Sequence, residues 1–201
     1  RRAVAPSLRE KLVAHLPDYA PVAARLASMM NLGDAFPRLR ERVTGFSARR
    51  SLPKWRRDAL NDSESPSAPA DAEILLFADC FTRWFEPQIP RAALRVLAAA
   101  GKKTAIASDG ARALCCGRTY LAAGMVDRAR DAARRMIAAL KGKPVVGLEP
   151  SCLLTLRDEY PALLPGPETD DLAQRAQLFE EYLAAEKKAG RLDLKLKNAG
   201  A

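Results

Sequence analysis

Three short, nearly continuous runs of apolar residues stand out in the second part of the chain, at Glu73–Ala78, Lys103–Ser108 and Pro144–Glu149. Runs of this length, bounded by turn residues, are typical of strands that are buried on both faces of a parallel sheet. Between them lie two stretches, 87–101 and 118–140, whose apolar residues recur with helical spacing. Strands that alternate with helices through short connections form crossover units. The pattern therefore predicts an α/β fold with a small, parallel, three-stranded sheet of the Rossmann-like type.

The first 46 residues carry helical signals, so a short all-helical segment is expected before the sheet. Ser7 and Glu10 have the spacing of a capping box, and Gly45 is a typical helix end. A final amphipathic helix is expected near the C-terminus, followed by a frayed tail at 191–201. Besides 87–101 and 118–140, the expected helices are Ser7 to about His15, Asp18 to about Met30, Asp34 to Gly45, Ser151 to about Tyr160, and residues 171–188.

Residues 61–70, NDSESPSAPA, have the composition of a linker, because they are rich in Ser, Pro, Asp and Ala and lack an apolar period. A domain boundary is therefore placed there. The predicted organisation is a basic helical connecting segment (1–60), a linker (61–70), a cysteine-rich α/β domain (71–165), and a C-terminal helix with its tail (166–201).

The overall composition is that of a globular protein, with 48% hydrophobic and 28% charged residues. The sequence has no apolar stretch of about 18 residues that could cross a membrane. Its first residues lack the apolar core of a signal peptide, and they also lack an initiator Met. We therefore expect a fragment or a processed chain.

The formal net charge of +9 lies entirely in the N-terminal part of the chain. Residues 1–57 carry 13 Lys and Arg against 4 Asp and Glu, while residues 58–201 carry 20 of each kind. Such a basic arm can contact nucleic acid, an anionic membrane surface or an acidic partner domain. The sequence has no aromatic-interleaved RNA motif and no recognition helix, so a nucleic-acid partner is disfavoured. Docking on a partner, or a simple gain in solubility, is the favoured interpretation.

All four cysteines follow predicted strands. Cys80 comes directly after the first strand, Cys115 and Cys116 lie in the loop after the second, and Cys152 follows the third. Because the carboxyl ends of parallel strands meet at the same edge of a sheet, we expect the four thiols to share one crevice. The N-termini of the following helices carry partial positive charge, which stabilises thiolates.

Other chemistries of the four cysteines are weaker interpretations. Without a secretory signal, a disulfide scaffold is disfavoured and a reducing, cytoplasmic location is expected. Zinc sites typically use cysteine pairs two to four residues apart, and no such pair is present. A catalytic Cys–His pair would need His15, the only histidine, which is expected to be an ordinary surface residue. The remaining alternative is that the four cysteines are buried independently of one another and form no shared site.

The spacing of these cysteines resembles that of a known domain. Thirty-four residues separate Cys80 from Cys115, and thirty-four separate Gly117 from Cys152. This pattern is similar to the cysteine-rich CCG domain, over about residues 71–165. The segments FSARRSLPKWR, FADCFTRWFEP, LCCGRTYLAAG and GLEPSCLLTLRDEYPALLPG also resemble the C-terminal part of FAD-linked oxidases with an iron–sulfur region, of the D-lactate and D-2-hydroxyglutarate dehydrogenase or glycolate oxidase iron–sulfur subunit type.

The resemblance implies an iron–sulfur electron-transfer module of a FAD-linked D-2-hydroxyacid dehydrogenase. Electrons would come from upstream FAD and ferredoxin-like domains or subunits and pass to a quinone or another carrier. The module alone would turn over no substrate. It would be cytoplasmic, with peripheral contact at the inner face of the membrane left open.

The resemblance also implies a set of ligands, in which Cys80, Cys115, Cys116 and Cys152 would hold a [4Fe–4S] cluster. Arg118, in the helix after the cysteine doublet, would either balance the negative charge of the cluster or lie on the surface. Glu149, at the end of the third strand, would cap or orient its loop.

One departure from the family pattern bears on this ligand set. Thr155 stands where many family members have a last cysteine, and threonine is a poor ligand for iron. Four thiolates still suffice for an ordinary [4Fe–4S] cluster, whereas a larger noncubane cluster is disfavoured. Three alternatives stay open at this point: a relay surface without its own cluster, a heterodisulfide-reductase-like catalyst, and an interaction module with zinc or no metal.

Overall fold

The computed structural model describes residues 6–192 and residue 194. Within them the chain is an α/β protein whose four parallel strands pair in the order β2-β1-β3-β4. The predicted fold class is confirmed, with one more strand than expected. Most of the tail predicted to fray lies outside the described residues. The strands are β1 (Ile74–Phe77), β2 (Thr104–Ile106), β3 (Val145–Gly147) and β4 (Ala176–Leu178).

Helices surround this sheet and precede it. The helix predicted over 87–101 is present as α6, and Gly101 follows it with a φ of +70°. No helix in the described part of the chain is both long and apolar enough to span a bilayer. The helices are α1 (Leu8–Ala14), α2 (Leu16–Arg25), α3 (Ala27–Asn31), α4 (Pro37–Thr44), α5 (Cys80–Trp84), α6 (Gln88–Ala99), α7 (Arg118–Ala122), α8 (Val126–Ala139), α9 (Pro150–Leu154), α10 (Tyr160–Leu163), α11 (Pro167–Arg175) and α12 (Phe179–Lys188), with 3₁₀ turns at Leu32–Ala35 and Asp62–Glu64 and a π-helical turn at Thr155–Glu159.

Both faces of the sheet are covered, as the apolar runs predicted. Successive residues of β1 point to opposite faces, so Leu75 and Phe77 pack with α8 to α11 while Ile74 and Leu76 pack with α6 and α12. β1 lies between β2 and β3 in the sheet, so the winding direction of the chain reverses beside it. A crevice is expected at such a switch point, at the carboxyl ends of the strands.

Three predicted helices are wrong because local breaks interrupt them, and the one predicted from Asp18 to about Met30 is broken at Leu26, between α2 and α3. The helix predicted over 118–140 ends at Ala122 and resumes at Val126, since Gly124 adopts a left-handed φ of +74°. The helix predicted over 171–188 is split by β4, which pairs with the free edge of β3. The Arg175 guanidinium donates to the carbonyl oxygen of Leu140 at 2.9 Å and thereby anchors this segment beside β3.

Three predicted helix starts are also wrong, whereas the Ser7–Glu10 capping box is confirmed. Asp18 lies inside α2, which begins at Leu16. Asp34 lies in a 3₁₀ turn before α4, although Gly45 does end α4 with a φ of +78°. Ser151 lies within α9, which begins at Pro150. In each case the helix begins at or next to a proline rather than at the predicted capping residue. The spacing of residues in the sequence alone does not reveal this.

The helical segment is bound to the α/β part by side-chain contacts. The Tyr120 hydroxyl donates to Asp18 Oδ1 at 2.7 Å, and Arg128 Nη1 donates to Asp18 Oδ2 at 2.9 Å. Thr119 Oγ1 donates to the Ala14 carbonyl oxygen at 3.1 Å. These contacts place α1 and α2 against α7, the helix that follows the cysteine doublet.

The segment predicted to be a linker also contacts the α/β part. Arg83 Nη1 lies 2.7 Å from Asp62 Oδ1, and Ser108 Oγ donates to Asp62 Oδ2 at 2.6 Å. The backbone N–H of Ile106 donates to Ser65 Oγ at 2.9 Å. Residues 62–65 are therefore anchored on the β2 side of the sheet. The division of the chain into four parts stays a prediction.

The ion pairs of Glu186 predict a loss of stability in acid. Hydrogen bonds from Arg191 and then Lys102 lower the pKa of Glu186 from 4.5 to about 2. The carboxylate therefore contributes stability fully above about pH 4.5, and this contribution is lost as the pH falls toward about 2. We expect Glu186→Gln to lower the free energy of unfolding by about 1 kcal/mol at neutral pH and by less near about pH 3. Urea unfolding at the two pH values measures this, and an equal loss at both would contradict it.

Candidate functional site: thiols at the carboxyl edge of the sheet

Cys80 is held by the start of α5. Asp79 is the N-cap residue, and its Oδ1 accepts hydrogen bonds from the backbone N–H groups of Phe81 at 2.8 Å and Thr82 at 3.1 Å. Its side chain also accepts from the Thr82 hydroxyl at 2.7 Å. The pKa of Asp79 is nevertheless raised, chiefly because the side chain is buried. Cys80 therefore follows β1 in a fixed backbone geometry and is itself 7% exposed.

The cysteine doublet ends in a glycine that no other residue could replace without cost. Gly117 has a φ of +79°, and a Cβ atom there would lie 3.0 Å from Ala132 Cβ and 3.2 Å from the Ala129 carbonyl oxygen. Its N–H group donates to Cys115 Sγ at 3.4 Å. The close approach of this turn to α8 thus sets the direction in which the doublet leaves the loop.

Cys116 is fixed from the other side by Tyr160. The Tyr160 hydroxyl donates to the Cys116 carbonyl oxygen at 2.9 Å, and its ring is completely buried. Cys116 is 3% exposed and packs in the core under the same face of the sheet. Cys116 is therefore part of the core, whereas Cys115 is half-buried and lines the adjacent cleft.

Cys152 lies in the first turn of α9, after β3. Glu149 caps this helix, because its Oε1 accepts from the backbone N–H of Ser151 at 3.2 Å and from the Ser151 hydroxyl at 2.7 Å. Of the two roles expected for Glu149, capping and orienting its loop, the structure shows the capping role. Gly147, at the end of β3, lies so close to Leu153 that a Cβ atom would stand 2.7 Å from its Cδ1. This contact brings α9 tightly onto the strand end.

The structure brings the four thiols together at this edge of the sheet. The Cys115 side chain hydrogen-bonds with those of Cys80 and Cys116, and the Cys116 side chain hydrogen-bonds with that of Cys152. Among the described residues, no three His, Cys, Asp or Glu side chains have the arrangement of a formed metal site. All four cysteines are free thiols. Three strand ends thus deliver their sulfur atoms to one continuous cluster, which we call the thiol row (Cys80, Cys115, Cys116 and Cys152).

The members of the thiol row differ in acidity. The pKa of Cys115 is well below its usual range, because Cys116 and then Cys80 donate hydrogen bonds to its sulfur. The pKa of Cys80 and that of Cys116 are well above the usual range, first because each donates to Cys115 and then because of burial. Cys115 is therefore more acidic than Cys80 and Cys116.

Arg118 and Thr155, which the sequence also marked, lie beside this row. Arg118 Nη1 donates to Glu159 at 2.8 Å and lies 3.5 Å from Thr155 Oγ1. The Thr155 hydroxyl donates to the Ser151 carbonyl oxygen at 2.8 Å and its side chain is buried. The structure thus places Arg118 in an ion pair at the protein surface, and its role toward a cluster stays a prediction.

Sequence reasoning missed several residues that shape the site. Asp79 had a detectable signal, since an aspartate that directly follows a strand and precedes a helix is a typical N-cap residue. Tyr160 had none, because it lies 44 positions from its partner Cys116. Sequence reasoning also missed a cleft of about 260 Å³ beside Cys115. Its lining includes Asp18, Tyr120 and Arg128. His15 contacts one of these cleft residues, because its Nδ1 atom lies 2.8 Å from Asp18 Oδ2.

Removing the Tyr160 hydroxyl is expected to destabilise the doublet. Tyr160→Phe keeps the buried ring but leaves the Cys116 carbonyl oxygen without this donor, which costs about 1–2 kcal/mol. Tyr182→Phe is the matched control, because Tyr182 is 7% exposed and its hydroxyl has no hydrogen-bond partner among the described residues. Urea unfolding of both variants measures the difference. Equal stability of the two variants would show that the Tyr160 hydrogen bond contributes nothing.

Comparisons with known proteins find similarity to a cysteine-rich domain and to two curated proteins. Residues 74–157 match the CCG family, described as "Cysteine-rich domain". Two curated relatives are the C subunit of the anaerobic glycerol-3-phosphate dehydrogenase of Escherichia coli strain K12 and that of strain O157:H7, each 28% identical over 172 residues that cover 79% of this chain and 43% of the relative. The chain therefore spans less than half of the length of these relatives. No solved structure matches significantly. The matched range contains all three strand ends that carry the thiol row, and this part of the chain is similar to the CCG cysteine-rich domain.

Proposed function

We propose that this chain is an electron-transfer module of an oxidoreductase and that its four cysteines hold a [4Fe–4S] cluster. The observation that carries the proposal is the thiol row, in which three segments distant in sequence meet at the switch point of the sheet. The match of residues 74–157 to the CCG cysteine-rich domain supports it. Both curated relatives bear the name of a dehydrogenase subunit, which supports a redox role.

The donor set suits such a cluster. An ordinary [4Fe–4S] cluster takes four thiolates, and when bound it supplies a redox centre whose potential depends on hydrogen bonds to sulfur. Protonated thiols hydrogen-bond to one another, as in the thiol row, and would turn toward iron once deprotonated. Cys80 and Cys152 are held by capped helix starts, so their backbone positions would not have to change.

The other residues of the site would orient the ligands and exclude water. The Gly117 N–H already donates to Cys115 Sγ at 3.4 Å and would lower the charge on this ligand. Tyr160 and the surrounding core shield the Cys116 side of the row. Thr155 lies one turn after Cys152, with its hydroxyl committed to the Ser151 carbonyl oxygen. Four ligands therefore remain, which suits a cubane rather than a larger cluster.

The electron donor proposed for this module is a FAD-linked dehydrogenase that oxidises a D-2-hydroxy acid, and the acceptor is a quinone or another carrier. The resemblance of the sequence to FAD-linked oxidases supports this donor. The FAD and ferredoxin-like parts would belong to other domains or subunits, in line with the relatives' being a named subunit. Glycerol 3-phosphate is the competing substrate, because the relatives carry it in their name.

The cluster itself is tested by anaerobic reconstitution of the chain with iron and sulfide. We expect about four iron and four sulfide atoms per chain, and an EPR signal after reduction with dithionite. One zinc atom per chain, or no metal, would refute the cluster. Reduction of disulfide substrates by the reconstituted chain would show that the module is catalytic rather than a relay.

The donor is tested separately in the complete oxidoreductase. D-lactate, D-2-hydroxyglutarate, glycolate and glycerol 3-phosphate are added one at a time under anaerobic conditions, and the EPR signal of the reduced cluster is followed. A signal with a 2-hydroxy acid supports the proposed donor. A signal with glycerol 3-phosphate alone would overturn that donor while leaving the relay role in place.

A further inference from the structure

A second surface, on the helical segment, has no role in the thiol site. Eight large apolar side chains of α2, α3, α4 and the turn between them are 41–62% exposed. An exposed apolar area of this kind typically marks an interaction site. We call it the apolar–basic face, and its apolar members are Val22, Leu26, Met29, Met30, Leu32, Phe36, Leu39 and Val43.

The exposure of this face follows from how the helices pack. α2 buries its small residues Ala20, Ala23 and Ala24, and it contacts α5. Its larger residues Val22 and Leu26 point outward and are 55% and 46% exposed. The helix therefore makes its internal contact mainly through alanines, together with Leu16 at its start, and leaves Val22 and the adjoining Leu26 uncovered.

α4 shows the same arrangement more clearly. Leu39 and Val43 are four residues apart and share one side of the helix, and Phe36 is the residue directly before its first turn. They are 60%, 60% and 58% exposed, and no residue of α4 is buried. Within the described residues nothing covers this apolar stripe, although a stripe of this period is what an amphipathic helix normally buries.

The charge around the face indicates what would cover it. Residues 1–57 carry the whole net charge of +9, and residues 58–201 are neutral. Arg40 is paired with Asp34 at 2.5 Å, whereas Arg25, Arg38 and Arg42 have no carboxylate partner among the described residues. A second copy of the chain would bring the same positive charge to the contact. A partner that covers the face must therefore supply carboxylates.

We propose that the apolar–basic face docks a protein partner whose surface has an apolar centre ringed by Asp and Glu. Met, Phe and Arg are enriched in protein interfaces, and Arg pairs with carboxylates in a two-pronged geometry. The apolar residues come from three short helices and the turns beside them, which form an uneven surface rather than one long helix lying flat on lipid. This inference does not depend on the bound cluster.

The position of the apolar–basic face would place a bound partner close to the thiol row. α2 contacts α5, and α5 begins at Cys80. A partner seated on the outer side of α2 would lie about one helix diameter, about 10 Å, from α5. The docking surface would thus bring an acidic partner close to the thiol row without covering the crevice.

A photo-crosslinking experiment in the native cell tests the proposal. The photoreactive residue benzoylphenylalanine is placed at Leu39 in one version of the chain and at Val126, an exposed aliphatic position on α8, in another. We expect one protein to crosslink through position 39 and not through position 126, and its crosslinked peptide to lie in an acidic surface. Crosslinking to phospholipid, to a second copy, or no more than from position 126 would overturn the proposal.

Binding of the purified crosslinked protein then measures the contribution of the face. Leu39→Asp is expected to weaken binding about ten-fold or more, and Val126→Asp by no more than about two-fold. Raising the salt to about 0.5 M should slow association, because the charges are exposed. Sedimentation with vesicles of phosphatidylglycerol and phosphatidylethanolamine that is lost in Leu39→Asp would instead assign the face to a membrane. Cys80→Ser should leave the docking unchanged, so that failure of the cluster proposal is distinguished from failure of this one.

Discussion

Serine in place of Cys115 is expected to lower the reconstituted iron and sulfide from about four atoms of each to below about one per chain. Cys115 occupies the middle of the thiol row, where its side chain hydrogen-bonds with both Cys80 and Cys116. A hydroxyl is a poor ligand for iron, and the remaining three thiols cannot complete a four-thiolate set. Iron and sulfide analysis with EPR after reduction measures the loss.

The control for this result is Ser151→Ala. Ser151 neighbours Cys152 and its hydroxyl donates to Glu149 at 2.7 Å, so the substitution disturbs the site without removing a sulfur atom. We expect it to retain the cluster, and we expect both variants to keep the circular dichroism of the parent chain. Full iron loading of Cys115→Ser would remove Cys115 from the ligand set.

Alanine in place of Gly117 is expected to destabilise the chain by about 3 kcal/mol. The left-handed φ of +79° costs an alanine about 1–2 kcal/mol, and its Cβ would press on Ala132 Cβ at 3.0 Å, which adds an overpacking cost of similar size. Relief of this contact would move the doublet away from α8. The same variant is therefore expected to bind less iron than the parent chain.

Gly124→Ala is the matched control, because Gly124 has a similar φ of +74° but no atom within 4 Å of its would-be Cβ. It is expected to lose only about 1 kcal/mol and to keep its iron. Urea unfolding of the two variants, with iron analysis of both, separates the strain of the backbone from the close approach. Equal losses would show that the contact with α8 is unimportant.

The strands of the core were predictable because their signal is local. β1, β2 and β3 each lie within a short apolar run, and a strand buried on both faces needs little else. β4 was not predictable, since Ala176–Leu178 has no strand composition and forms only because the edge of β3 is available. The pairing partner, rather than local propensity, decides its conformation.

The features of the candidate site also divide into those that were predictable from the sequence and those that were not. Its location followed from chain order, because each cysteine comes after a strand and parallel strands end at one edge. The order of contacts in the thiol row did not, nor did the support from Tyr160, since both depend on how α9 and α10 pack on the sheet. Arg118 is an example of a contact that the sequence does not reveal, because its partner Glu159 lies 41 residues away along the chain.

By itself, the amino-acid sequence determined the α/β class, three of the strands, the basic character of the first 57 residues and the placement of every cysteine after a strand. These follow from apolar period, charge and spacing, which are properties of neighbouring residues. Only the tertiary structure decided the fourth strand, the contacts that join the thiols in a row and the apolar side of α4 that remains uncovered. Each of these depends on which distant segments meet, and packing in three dimensions alone settles that.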